Sequence, residues 1–151
     1  MRRYPGSRRN PQFNIGPLSA SLAAAGISLH QFGETLGGRR QPLPDSPNRG
    51  WRVDGFRAYA DHMRSPEFAA GLGELEALAE RAKVAVMCAE ADWHRCHRRL
   101  LADALLVRGW RVRHIDARGG AEDHQLTDFA LVDGDRISYP PAQGTLAEPP
   151  E

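Results

Sequence analysis

The segment Cys88-Ala-Glu-Ala-Asp-Trp-His-Arg-Cys-His-Arg-Arg99 carries two cysteines, two histidines, two acids and three arginines, the densest set of reactive side chains in the sequence. Three chemistries suit it. A cysteine beside a helix N-terminus and guanidinium groups has its thiolate favoured, because each positive potential stabilises the charged form. Cys88 or Cys96 would then be a nucleophile, with Glu90 as acid or base and His97 assisting proton transfer. A metal site would draw on Cys88, Glu90, His94, Cys96 and His97, all types that bind zinc or iron. Its spacing is unfavourable: Cys96 and His97 are adjacent, no second paired-ligand motif follows, and a closed four-ligand set would need His114 or His124. No bound metal is therefore expected. An anion pocket asks for least. His97 and Arg98 at a helix start would bind a phosphate or carboxylate, with the guanidinium offering two parallel hydrogen bonds, and Glu90 would contact a sugar, base or amine. The alternative to all three is ordinary packing, in which the arginines pair with Glu90 and Asp92 and Trp93 covers an edge.

The elements around this segment read as α/β. Val84 to Cys88 is a continuous apolar run, the pattern of a strand buried on both faces of a parallel sheet. Leu100, Leu101, Ala104, Leu105 and Val107 form a helix face ended by Gly109, and Trp110 to Ile115 reads as the next strand. A right-handed crossover would make these two strands parallel neighbours. The expected fold is thus a short, mainly parallel sheet flanked by helices, with Cys88 at the strand end where ligands of open sheets gather. Upstream, Ser65-Pro66-Glu67 is a strong helix start, and Phe68, Leu72, Leu75, Ala79 and Ala82 give that helix one apolar stripe. Asp54 would cap a helix bearing Phe56, Tyr59, Ala60 and Met63. Leu18 to Ala25 reads as a short helix closed by Gly26, and Ile27 to Phe32 as an extended strand. Gly33 to Asn48 has no period and is a long loop, of a length that in compact domains usually binds or covers something. Asp133-Gly134 marks a small C-terminal hairpin.

Length and composition suit one domain, residues 1–140, followed by a polar, proline-rich disordered tail, 141–151. The chain has 151 residues, 41% of them apolar and 26% charged. No run approaches the roughly 18 to 20 apolar residues of a membrane span, and the first residues are too polar for a signal peptide, so a cytoplasmic protein with no membrane partner is expected. Two cysteines do not make a disulfide framework. Net charge is +1, yet nine arginines face only Glu34, Asp45 and Asp54 up to Arg57, giving that stretch +6 and the remainder −5. Such asymmetry suits a small anionic ligand or nucleotide, and more weakly a nucleic acid. With no glycine-rich dinucleotide fingerprint and no Walker loop, no cofactor is expected.

Met87-Cys88-Ala89-Glu90 with Cys96-His97-Arg98-Arg99, preceded by Leu36-Gly37-Gly38 and by Arg2-Arg3-Tyr4-Pro5-Gly6-Ser7 with Phe13-Asn14, closely resembles the bacterial and archaeal family called domain of unknown function 488. Tyr59-Ala60-Asp61-His62-Met63, Glu67-Phe68, His114, His124 and Tyr139-Pro140 extend the resemblance to about Pro140. It implies an α/β fold with an uncharacterised activity, and places Cys88, Glu90, His97 and Arg98 together with Arg3, Ser7, Asn14, Gly37 and Gly38 at one shared site. Members similar to this chain begin with a strand, a helix and a second strand whose end carries an Asp-Val-Arg-like sequence. Met1 stands in place of that start, so the expectation is of a domain lacking it.

Overall fold

A computed structural model of the chain describes Tyr4 and residues 6–142. Five helices, α1 (Ile15–Ala24), α2 (Gly33–Leu36), α3 (Asp54–His62), α4 (Pro66–Ala79) and α5 (Arg98–Val107), are described, with four short strands. The strands are β1 (Arg113–Ile115), β2 (Ala121–Asp123), β3 (Leu131–Asp133) and β4 (Arg136–Ser138).

Local chemistry accounts for the helices. Ser65 Oγ accepts the Phe68 N–H at 3.1 Å, Pro66 fills the first position of α4, and Glu67 faces the positive end of the helix dipole. Phe68, Leu72 and Leu75 then bury the predicted stripe. Val53, not Asp54, holds the cap position of α3; Asp54 is the first helical residue and pairs with Arg57 at 2.5 Å. Gly26 (φ +72°) and Gly109 (φ +89°) close α1 and α5 in the left-handed conformation a side chain would resist.

The core joins Leu36 of α2, Tyr59 and Ala60 of α3, Phe68, Leu72 and Leu75 of α4, and Leu100, Leu101 and Ala104 of α5, closed by Trp51, Ile137 and Tyr139. Helix α2 lies directly on α4 because position 71 has no side chain: a Cβ on Gly71 would sit 2.3 Å from Thr35 Oγ1. The long loop after α2 is pinned from beneath. Buried Asp61 accepts hydrogen bonds from Leu43 N (2.9 Å), Ser46 Oγ (2.6 Å) and Asn48 Nδ2 (2.8 Å), and Asn48 Oδ1 accepts the Tyr139 N–H at 2.9 Å.

The sheet departs from the sequence expectation. Both ladders are antiparallel and two-stranded, β1 with β2 and β3 with β4. Val84 to Cys88 is assigned to no strand ladder among the described residues, and Val84 and Met87 stand 40% and 47% exposed, so this run is not the buried central strand expected. The second expected strand shortens to Arg113–Ile115 and pairs across the Asp116 to Gly120 turn with the chain that follows it. A local partner costs less loop-closure entropy than one across a helix, and here the local partner is the one used. Ile27 to Phe32 forms no strand either, with Ile27 53% exposed. The C-terminal hairpin is as expected: Asp133 pairs with Arg136 around Gly134 (φ +63°). Among the described residues, no helix is long and apolar enough to cross a membrane.

Candidate functional site

The chain enters α5 through a single turn of 3-10 helix, Trp93–Arg95, capped by Asp92, whose Oδ1 accepts the His94 N–H at 2.9 Å. The turn closes when Cys96 N–H donates to Trp93 O at 3.1 Å, and His97 then caps α5. This sharp entry sets Cys96 and His97 inward under the segment that carries Cys88. Their ligand-type atoms, two sulfurs and one ring nitrogen, lie within 4.8 Å of one another. His97 Nδ1 is 4.0 Å from Cys88 Sγ and 3.8 Å from Cys96 Sγ. Cys96 is 1% exposed, whereas Cys88 is half-buried.

The two thiols are electrostatically unlike. A hydrogen bond from the Cys96 thiol holds the Cys88 thiol well below its ordinary range, against the opposing effect of burial and with help from His97 and the Glu90 backbone N–H. The same bond, with burial, pushes Cys96 up, although Arg98 donates to its sulfur from Nε at 3.4 Å and from the backbone at 3.5 Å. Of the two, Cys88 is the thiol favoured to ionise and Cys96 the one held protonated. Burial also keeps the Tyr59 phenol protonated, and its OH donates to Leu36 O at 2.9 Å.

His97 Nε2 is buried without a partner among the described residues. That orphan bears on the metal reading. With Nδ1 bound to a metal, Nε2 would carry the ring proton and be a buried donor with nowhere to donate, whereas metal-binding histidines almost always donate their second N–H. With the proton on Nδ1, facing the sulfurs, Nε2 is a bare acceptor. Cys88, Cys96 and His97 supply three donor atoms for a soft metal, and the ring nitrogen behind them lacks the outer hydrogen-bond partner that metal-binding histidines usually have.

Several residues named from sequence meet here. Gly38 backs the His97 ring so closely that a Cβ would lie 2.8 Å from Nδ1, and the Tyr59 ring sits 4.9 Å from the imidazole on another side. Gly37 is buried and its carbonyl accepts Arg40 Nε at 2.9 Å. Glu90 contributes its backbone; its residue is exposed. Arg98 donates to the carbonyls of Glu90 and Ala91 as well as to Cys96 Sγ, tying the loop to the cysteine. Ser7 and Asn14 join each other, Ser7 N donating to Asn14 Oδ1 at 2.7 Å, with no contact to the cysteines among the described residues. Arg3 and the residues from 143 onward lie outside the described residues.

A cavity of about 210 Å³ opens next to the cluster, walled by α4, α5, Val84 to Val86 and Trp110 to Ile115. Arg98, Trp93 and His114 line it; Cys88, Glu90 and His97 do not.

Sequence reasoning missed a second polar cluster behind this cavity. Asp103, fully buried on α5, accepts His124 Nε2 (2.8 Å), Thr127 N (3.0 Å) and Tyr139 OH (2.8 Å). His124 Nδ1 in turn lies 2.8 Å from His114 Nε2, and the Trp93 ring stacks flat on His114 with centroids 3.6 Å apart. His124 is thus bound to Asp103, and His114 to His124, neither to the cysteines among the described residues. The signal available was Asp103 itself, an acid in the middle of an otherwise apolar helix face.

The family model described as domain of unknown function DUF488 matches residues 1–105, more than half of the sequence, and the chain belongs to that family. The match takes in Gly38, Cys88, Cys96, His97 and Arg98 and ends before His114 and His124. No curated protein and no solved structure matches the chain.

Proposed function

We propose that this member of the domain of unknown function DUF488 is a thiol-dependent enzyme of the cytoplasm in which Cys88 is the nucleophile. One observation carries the reading: Cys88, Cys96 and His97 Nδ1 converge within 4.8 Å, with the less buried thiol of the pair as the one favoured to ionise. Cys96 donates to the thiolate, His97 faces both sulfurs, and Gly38 and Tyr59 hold the imidazole in place. Arg98 fixes the loop that brings Glu90 N–H to the Cys88 sulfur. A thiolate so placed attacks small electrophiles, and the arginine-rich environment favours those bearing a phosphate or carboxylate.

The rate of Cys88 alkylation against pH, read by peptide mass mapping, tests this directly. The thiolate plateau should extend well below the free-cysteine value of about 8.5, and Cys96→Ala should move the inflection upward. An inflection near 8.5 in the wild-type protein would refute it. A second reading, anion binding without turnover, is favoured by Arg98, Trp93 and His114 around the 210 Å³ cavity. The two separate at Cys88→Ser, which abolishes thiol chemistry and leaves anion affinity intact.

A further inference from the structure

We propose that Cys88 and Cys96 form a two-thiol redox couple that reduces a small hydroperoxide, Cys88 taking the oxidation and Cys96 resolving it. This rests on Cys88 being the thiolate of the site.

Three features of the structure divide the roles. First, access is unequal: Cys88 is half-buried and meets solvent, while Cys96, 1% exposed, is reached only by a group already attached to Cys88. Second, the sulfurs are close enough to join through a modest shift of one segment. They lie within 4.8 Å, and a disulfide requires about 2.05 Å. Cys96 is fixed by the turn into α5, so closing the gap falls to the half-buried Cys88 side. Third, hydrogen-bond donors stand where charge develops. Arg98 N and Nε point at Cys96 Sγ, ready to stabilise that sulfur as it gives up its proton, and His97 Nδ1 lies within 4.0 Å of both sulfurs, placed to pass the proton.

The reaction balances in two steps. The Cys88 thiolate attacks the terminal oxygen of R–O–O–H; the S–O bond forms, the O–O bond breaks, and RO⁻ leaves to become ROH with a proton from solvent. The sulfur is oxidised to sulfenic acid by two electrons and the peroxide is reduced by two. The Cys96 sulfur then attacks the Cys88 sulfur; the S–S bond forms, the S–O bond breaks, and hydroxide departs with the Cys96 proton as water. A dithiol reductant returns the pair to its starting state by exchange. The half-buried position of Cys88, with His97 beside its sulfur, favours a small R group.

The test uses the reduced full chain, treated with one equivalent of hydrogen peroxide, denatured with a maleimide and analysed by intact and peptide mass. The expected product has lost two alkylatable thiols and two hydrogens per chain, with the Cys88 and Cys96 peptides linked within one monomer. Cys96→Ser should instead stop at a Cys88 sulfenate trapped by dimedone, and Cys88→Ser should leave Cys96 alkylatable. An unchanged thiol count, a persistent wild-type sulfenate, or a linkage only between two chains would overturn the proposal. The alkylation profile separates the failures: a low-pH thiolate at Cys88 with no internal disulfide sinks the redox couple alone, whereas an ordinary thiol sinks both readings.

Discussion

Cys88, Cys96 and His97 converge at one point, and the residue that keeps the arrangement in place carries no functional group. Gly38 sits where any Cβ would press on the His97 ring, 2.8 Å from Nδ1 and 3.2 Å from Cε1. Its conformation does not demand glycine; the approach of the imidazole does. Gly38→Ala therefore has to push the ring away from the sulfurs or move the loop. We expect a stability loss of about 1–3 kcal/mol, as for other overpacked sites, and slower alkylation of Cys88 at pH 6 in protein that urea titration shows to be folded. An alkylation rate equal to wild type would mean that His97 does not act on Cys88. The density of chemistry between Cys88 and Arg98 was legible in the sequence, and so was the resemblance that linked Gly37 and Gly38 to it. The division of roles was not. Which thiol is buried, which Arg98 atoms face Cys96, and that Glu90 acts through its N–H all depend on a turn geometry set by Asp92 and on packing against Tyr59.

At the scale of elements, α2 (Gly33–Leu36) lies in the stretch read as a loop, but the other helices were readable because their signals are local: a cap at Ser65, an apolar stripe, a glycine stop. The Asp103 cluster was not, since it joins α5 to His124, Thr127 and Tyr139 from the last third of the chain. That cluster makes stability depend on pH in a stated direction. Burial, the neighbouring His124 and the more distant Arg98 and His94 push His114 down to about 4, with Glu122 acting the other way. Folding therefore disfavours the protonated ring. Its contribution is fully present above the ordinary histidine value of about 6.5 and is lost as pH falls from there toward 4, because the unfolded chain binds a proton that the folded one refuses. The Cys88 thiolate also loses stabilisation on acidification, so the informative quantity is a difference. Urea midpoints at pH 7 and pH 5 should fall more steeply for wild type than for His114→Gln. Parallel slopes would show that His114 titrates normally in the folded protein.

For the whole molecule, the expectation that failed was the parallel sheet. Val84 to Met87 has the composition of a buried strand, but composition reports only that a segment suits a sheet, not that a partner lies beside it. Here Trp110 to Ile115 turns back on its own downstream chain, and the two apolar segments face each other across the 210 Å³ cavity instead of sharing a ladder. Hydrogen exchange discriminates these arrangements amide by amide. In the reduced protein, the amides of Val84 to Val86, which make no backbone hydrogen bonds among the described residues, should exchange far faster than those of Leu101 to Val107 within α5. Strong protection over Val84 to Val86 would mean that a strand does pair there. The same segment must carry Cys88 toward Cys96 if the disulfide forms. Oxidation with hydrogen peroxide should then slow exchange around Cys88 to Ala91 while leaving β3 and β4 unchanged, because the new bond tethers the Cys88 loop to a helix that the core already fixes. Slowing spread evenly over the hairpin and the helices would instead show that oxidation tightens the whole fold and that movement of the Cys88 loop has no part in the chemistry.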